Sequence, residues 1–270
     1  ASPPMSARPG NIAQSWLKRR FGRLLDGYLE QRAQRDREES RARHAELIGW
    51  LAEFERRQRR DVYTAMERIA ADQSAEFALE AFRFARPCFS PHETLRHAIE
   101  QSPPTGLALE FGVASGRTLA ILAETRGQRK VFGFDSFDGL PEHWRWGFDV
   151  GSFAADKAPV VQGAEIIEGL FQDVLPVFLA NNAGQLSIAH IDSDLYSSAR
   201  YVLQQLRPRM VEGTVILFDE YYNFPGWREH EHRAWQEFVA ESGLEFEYLG
   251  ATADDEQVSV RITAPPKPSA

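Results

Sequence analysis

Cysteine is almost missing from this 270-residue chain. Cys88 stands alone, so no intramolecular disulfide, cysteine-based metal cluster or redox pair can form. Between Pro87 and Phe89 it reads as a small apolar filler rather than a reactive thiol. No run of 18 or more apolar residues is present, which excludes a transmembrane helix. No basic segment leads into an apolar stretch with a small-residue cleavage site, so no export signal is read and a cytoplasmic protein is expected. The sequence also lacks the dinucleotide-binding G-x-G-x-x-G spacing and the lysine of a phosphate-binding loop. What remains is ordinary for a soluble globular chain, with 43% hydrophobic and 26% charged residues.

Charge is scarce in net terms, at -8, but it is unevenly spread. Residues 1–60 hold 14 Lys or Arg against 8 Asp or Glu, and residues 61–270 hold 17 against 31. A basic N-terminal segment suits an acidic partner, a membrane surface or a nucleic acid. Acidic residues are interleaved with the basic ones, and no aromatic stacking pattern accompanies them. A solvated charged helix is therefore the leading reading, and nucleic acid is not an expected partner.

Trp16, Leu17, Phe21, Leu24, Leu25, Tyr28 and Leu29 recur at helical spacing. Gln31 to Glu46 has no large apolar residue and reads as a solvated helix or a spacer. Helical periodicity returns at Leu47, Ile48, Leu51 and Phe54, and again at Val62, Met66 and Ile69. Residues 1–89 are thus expected to be an N-terminal helical arm or cap, which either packs on the main domain or pairs two copies in a homodimer. Ser90-Pro91-His92-Glu93 is a helix-start signature, with a Ser cap, Pro at the first helical position and Glu three residues after the cap.

From residue 90 to 270 a second domain is expected. Apolar runs at 107–111, 131–134, 165–167, 186–191 and 214–218 alternate with helical segments at 116–125, 173–182 and 195–207. This alternation predicts an α/β, doubly wound, mostly parallel sheet. Runs at 244–249 and 257–262, around a polar turn, add an antiparallel hairpin at the sheet edge and bring the count to seven strands.

In such a sheet, ligands sit beyond the carboxyl ends of the strands. The first strand leads into Glu110-Phe111-Gly112-Val113-Ala114-Ser115-Gly116-Arg117-Thr118. Its glycines let the backbone turn tightly and approach a ligand, and the following helix N-terminus presents free amides. Glu110, an acid at the end of a buried strand, favours a ligand with an ammonium or sulfonium group over a pyrophosphate. Asp135, next to Ser136 at the end of the second strand, is placed to accept hydrogen bonds from ribose hydroxyls, or else to cap the next turn. Phe171 is either a wall against an adenine ring or part of the core. Asp192 and Asp194 follow the fourth strand, and Asp219 and Glu220 follow the fifth. Four carboxylates from neighbouring strand ends repel one another unless a cation or a proton offsets them, and oxygen-rich clusters suit Mg²⁺, Mn²⁺ or Ca²⁺. The competing reading has Asp194 and Glu220 facing solvent at helix starts.

Taken together, EFGVASGRT, GFDSFDGLP, GLFQDVLP, HIDSDLY and ILFDEYYNFPG, in this order and spacing, resemble the macrocin O-methyltransferase family over roughly residues 90–262. That resemblance implies a Rossmann-like fold that binds S-adenosylmethionine (SAM) and methylates sugar hydroxyls with the help of a divalent metal. It implies Glu110, Gly112 and Thr118 at the methionine end of SAM and Asp135 and Ser136 at the ribose, and Ala114 and Gly116 of the same turn are also expected to bind the cofactor. Phe171 and Asp192 complete the cofactor set, Asp192, Asp219 and Glu220 would hold the metal, and Asp194 would be the general base. The family usually has two consecutive aspartates where this chain has Asp219-Glu220, and glutamate reaches one methylene further.

His230 is a second candidate base and His232 a third, although both read first as surface histidines. Glu142 to Lys157 is long, aromatic and glycine-containing, as a substrate lid would be, with Trp144, Trp146 and Phe148 available to stack on an acceptor. Two other readings compete with a small-molecule or glycan methyltransferase. A nicotinamide-dependent oxidoreductase would share the fold and Asp135, and a non-catalytic scaffold would use the basic arm to recruit a partner.

Overall fold

The computed structural model describes residues 10–127 and 131–267, without the side chains of residues 10–17 and 19. The expected share of Trp16 and Leu17 in an amphipathic face lies outside these described residues. The chain forms two compact units that divide after residue 65, earlier than the expected boundary at 89/90.

The first unit is dominated by one helix, α1 (Gly10–Arg60), 51 residues long. The segment is free of proline and rich in Ala, Leu, Arg, Gln and Glu, all strong helix formers. Side-chain pairs one turn apart reinforce it, among them Gln34–Glu38 at 2.6 Å and Arg59–Glu55 at 2.8 Å. Gln31 to Glu46 is therefore helix and not spacer. Asp61 interrupts the run, and its carboxylate accepts from the Tyr63 amide at 2.9 Å to cap the next helix, α2 (Val62–Ala81).

From Met66 onward α2 belongs to the second unit, where Ala70 and Ser74 are buried. Ser74 accepts from the Asn223 amide at 2.9 Å. Phe77 meets Trp227, Tyr221 and Tyr248 with ring centroids within 6.3 Å. These aromatic contacts bind the end of the helical segment to the α/β domain.

That domain contains α3 (Pro91–Gln101), β2 (Leu107–Phe111), α4 (Arg117–Arg126), β3 (Val131–Asp135), β4 (Ala164–Glu168), α5 (Phe171–Asn181), β5 (Leu186–Ile191), α6 (Tyr196–Leu206), β6 (Val215–Phe218), α7 (Glu231–Ser242), β7 (Glu245–Thr252) and β8 (Val258–Ala264). Ahead of them lies a short strand, β1 (Arg86–Cys88). The sheet has eight strands among the described residues, in the order β1-β7-β8-β6-β5-β2-β3-β4. The expected count of seven missed β1, whose three residues are too few to show a period. Because β1 pairs in parallel with β7, the β7–β8 hairpin is antiparallel as expected but does not form the sheet edge. At the start of α3, Ser90 accepts from the Glu93 amide at 3.2 Å, while the Glu93 carboxylate accepts from Phe89 rather than from Ser90 itself.

Side-chain alternation divides the core. Leu109, Phe111, Phe134, Ile191 and Phe218 face one layer, covered by α5, α6 and α7. Ala108, Val131, Ile188, Val215 and Leu217 face the other, covered by α3 and α4 through Leu95, Ala98, Leu119 and Leu122. By the same two-residue period Glu110 and His190 lie on the second face, and Asp219 continues it just past β6. The switch in strand order falls between β2 and β5, and that is where a ligand crevice belongs in this architecture.

Candidate active site at the switch point

A cavity of about 530 Å³ opens there, within the size range of small-molecule sites. Its wall is built from the carboxyl ends of β2, β3, β5 and β6, from the start of α5 and from the segment after β3. Gly112, Ala114, Thr118, Asp135, Ser136 and Phe171 line it, as do Asp192, Asp194 and Glu220. Most of the expected site residues therefore face one space.

The glycine turn is forced by close approach. Gly112 has φ +96°, and a Cβ on it would stand 1.7 Å from the Asp192 carbonyl oxygen. Only glycine lets β2 and β5 splay apart at this point without collision. Ala114 also adopts a positive φ, of 42°. The turn is clamped from the next strand, because one Asp135 oxygen accepts from the Val113 and Ala114 amides, each at 2.8 Å, and the other accepts from Phe137 at 2.8 Å. The capping reading of Asp135 holds, and the same side chain lines the cavity. Gly116 is not on the wall. A Cβ there would meet Val161 at 2.7 Å, so this glycine serves packing against the loop before β4.

Glu110 needs a correction. It is fully buried and does not line the cavity, as an acid contacting the methionine end would. Instead it accepts from the Thr118 hydroxyl at 3.1 Å, and its other oxygen lies 3.0 Å from His190 Nδ1. His190 Nε2 is in turn 3.3 Å from Asp219, whose second oxygen accepts from Gln257 at 3.4 Å. A buried polar chain thus crosses β2, β5 and β6 beneath the cavity floor, and half-buried Thr118 is the end of it that lines the cavity. Burial alone would favour a neutral His190 ring, but the hydrogen bonds it donates to Asp219 and Glu110 outweigh it and hold its pKa well above the ordinary value. Burial alone would likewise raise Asp219, yet the His190 hydrogen bond wins and keeps this carboxyl below its usual range.

The remaining acids behave in the opposite way. Burial, and then the Asp219 charge, pushes Asp192 far up. Burial, and then Asp194, does the same to Glu220. Asp194 is driven to about 7 by burial, against the pull of Arg145, and it sits at φ +60°, a strained conformation for a residue with a side chain. The reading of Asp194 and Glu220 as solvent-facing fails, because each is only 8% exposed. Glu220 Oε2 is buried with no hydrogen-bond partner among the described residues. Ligand atoms of His190, Asp192 and Asp219 lie within 4.8 Å of one another. This group has His190 where Glu220 was expected, and both His190 nitrogens already face Glu110 and Asp219. The carboxylates of Asp192 and Asp219, with the orphaned Glu220 oxygen, have the donor chemistry of a hard divalent cation.

Sequence reasoning missed two residues. His190 was visible in principle, as an ionisable side chain within the buried strand LSIAHI, in register with Glu110. Glu231 gave no signal. It is fully buried at the start of α7, where its carboxylate accepts from the Glu220 amide at 3.1 Å and so ties α7 to the loop after β6.

His230 does not line the cavity. It packs near Phe224, with centroids 5.7 Å apart, and burial lowers its pKa, so the expected role as base does not follow from its position. His232 is not a surface residue either. Phe77, Tyr221 and Trp227 enclose it, and burial brings it down to about 4. In the expected lid, Trp144 is buried against Phe148, and the Arg145 guanidinium lies 4.0 Å over its ring while its Nη1 donates to both Glu256 oxygens. Trp144, Arg145, Phe148 and Phe153 face the cavity, whereas Trp146 is 71% exposed and does not. Phe171 starts α5 at the cavity wall and meets Phe111 edge-on at 5.5 Å, serving both wall and core.

Residues 109–221 match the family described as a methyltransferase domain. Among solved structures the chain is similar to CalS11, a calicheamicin methyltransferase, at 25% identity and a TM-score of 0.52, over 63% of this chain and 76% of that one. The O-methyltransferase NovP is similar at 22% identity and a TM-score of 0.49, over 64% and 79% of the two chains. The O-methyltransferase TomG from Streptomyces achromogenes is similar at 16% and 0.42, over 72% and 90%. No curated protein matches by sequence. Fold, site and domain match define the class, a SAM-dependent methyltransferase of the class I, Rossmann-like type. The match is to the general methyltransferase domain and not to the macrocin family in particular. No helix among the described residues is long and apolar enough to cross a membrane.

Proposed function

We propose that this enzyme moves a methyl group from SAM to a hydroxyl of a sugar or another small acceptor, as the macrocin-type resemblance implies, with a divalent cation such as Mg²⁺ at the acid cluster. The observation that carries this reading is the convergence of Asp192, Asp194 and Glu220 on the same cavity as the Gly112 turn. CalS11, the similar structure at 25% identity, is by name a methyltransferase of calicheamicin.

SAM supplies an electrophilic methyl on a sulfonium, so the new C–O bond forms as the C–S bond breaks and the acceptor proton must leave. The protein's part is mainly alignment of acceptor oxygen and methyl. The turn at Gly112 and Ala114, Thr118, Asp135, Ser136 and Phe171 would hold the donor, with Glu110 acting through Thr118 rather than by contact. Asp194 is the base, since it faces the cavity beside the acids that would hold the cation. Asp192, Asp219 and Glu220 would hold the cation, with His190 fixing Asp219 from behind. Such an ion lowers the pKa of a bound hydroxyl. Trp144, Phe148 and Phe153 form an apolar wall suited to the flat face of a sugar or phenol ring. A lone thiol that is buried fits a reducing compartment such as the cytoplasm.

A methyl-transfer screen over glycosides and catechols, with and without EDTA, tests the proposal. Transfer to a glycoside hydroxyl that EDTA abolishes is the expected result. Calorimetry that finds no SAM binding would end this reading, and transfer indifferent to EDTA would remove the metal from it.

A further inference from the structure

Within the arm, α1 leaves large apolar side chains in water that no residue of its own unit covers. Phe21, Leu25, Tyr28, Leu47, Trp50 and Phe54 are each between 51% and 73% exposed. A helix gains nothing from holding such groups in solvent, and a contiguous exposed apolar surface marks an interaction face. Two groups of them, around residues 25 and 50, flank a wholly polar centre.

Their order follows a rule. Along one face the positions from Phe21 to Phe54 step by four, three and four residues, an 11-residue repeat in which Arg32, Asp36, Glu39 and Arg43 fill the middle. That repeat averages 3.67 residues per turn, close to the natural 3.6, so the face stays on one side of a nearly straight helix. The stripe is also palindromic. Phe21 mirrors Phe54, Leu25 mirrors Trp50, Tyr28 mirrors Leu47, Arg32 mirrors Arg43 and Asp36 mirrors Glu39, every pair centred between Arg37 and Glu38.

We propose that α1 pairs with α1 of a second copy of this chain, antiparallel, about a two-fold axis between Arg37 and Glu38. A two-fold interface requires a surface complementary to itself under reversal, which is what a palindromic stripe supplies. Reversal brings the apolar group around residue 25 of one copy onto the group around residue 50 of the other. At the centre, reversal sets Arg32 across from Arg43 and Asp36 across from Glu39, so opposite charges meet only on the diagonal, one turn away, and the apolar groups at the two ends rather than the charges carry the pairing. With Leu24, Leu29, Ile48 and Leu51 beside the stripe, the pair would bury on the order of 2,000 Å² over both copies, enough for a stable dimer.

The test uses the full chain. Sedimentation equilibrium at micromolar concentration should return twice the chain mass of 30.6 kDa. Leu25→Glu with Trp50→Glu should weaken association at least 100-fold without altering the fold of residues 66–270. Orientation is read from spin labels on single introduced cysteines, since native Cys88 is buried. Labels at Arg37→Cys should lie within about 30 Å of each other across the dimer, and labels at Lys18→Cys about 60 Å apart, from the 1.5 Å helical rise. Short distances at both positions mean a parallel pair and overturn the proposal. So does a monomeric wild-type chain, whether or not it binds anionic vesicles through the basic arm.

Discussion

Carboxylates in the two units do opposite things, although the sequence writes them alike. In α1, Glu53 is fully exposed, and its hydrogen bonds to Arg56 and Arg57 bring its pKa down to about 2. Salt and water screen such a pair, and holding two long side chains together costs entropy, so the downward shift is no measure of stability. In the catalytic unit, Asp192, Asp194, Glu220 and Glu231 are buried among one another and shift upward. Acids buried together in this way are a mark of functional sites, and Asp192, Asp194 and Glu220 all line the cavity. The lesson is that burial, not residue type, decides whether an acid is a surface ornament or a functional group under strain.

The comparison breaks most visibly at the turn that brings the acids together. Gly112→Ala should cost several kcal/mol of stability and abolish methyl transfer, since the new Cβ would overlap the Asp192 carbonyl and a backbone atom cannot swing away. Thermal unfolding and an activity assay check this, and a variant that behaves like the parent would mean the close approach is not rigid.

A smaller effect sharpens the contrast between buried and exposed acids. Burial keeps Asp192 protonated in the cation-free fold, so Asp192→Asn removes the cost of taking up that proton on folding. Near neutral pH the cation-free protein should gain about 1–2 kcal/mol while losing any Mg²⁺-induced rise in melting temperature. The parent protein's pH dependence follows from Asp194, whose pKa is about 7 when folded against an ordinary 3.8. Between those values the folded state holds a proton that the unfolded chain has released. Its contribution is therefore full below about pH 4, falls as pH rises, and is gone above about pH 7, a change of a few kcal/mol. Divalent cations should stabilise more at pH 8 than at pH 5, which thermal scans across pH measure directly.

The smallest effect is expected in the arm. Glu53→Gln should leave the melting temperature unchanged at physiological salt, despite the large pKa shift at that residue. A drop comparable to that at a buried acid would erase the distinction between the two units.

Much of this was legible along the chain because periodicity reports on burial. The runs LALEF, VFGF, LSIAHI and TVILF became β2, β3, β5 and β6 because apolar stretches between turn residues have few other stable outcomes. The acids at their ends fell beside one cavity because a parallel sheet delivers every strand's carboxyl end to the same rim. Tertiary structure alone decided the rest. Three residues at Arg86–Cys88 became a strand only because β7 offered a free edge. Glu110 turned from a ligand contact into a buried support because a two-residue period sends it to the face where Thr118 and His190 wait. His230 lost its candidacy, and Glu231 entered the site, through where α7 begins, a matter of chain packing rather than local pattern. Sequence determines which groups are available and on which side of an element they project. Only the folded chain decides what lies opposite them, and for a charged group that neighbour sets both its protonation and its purpose.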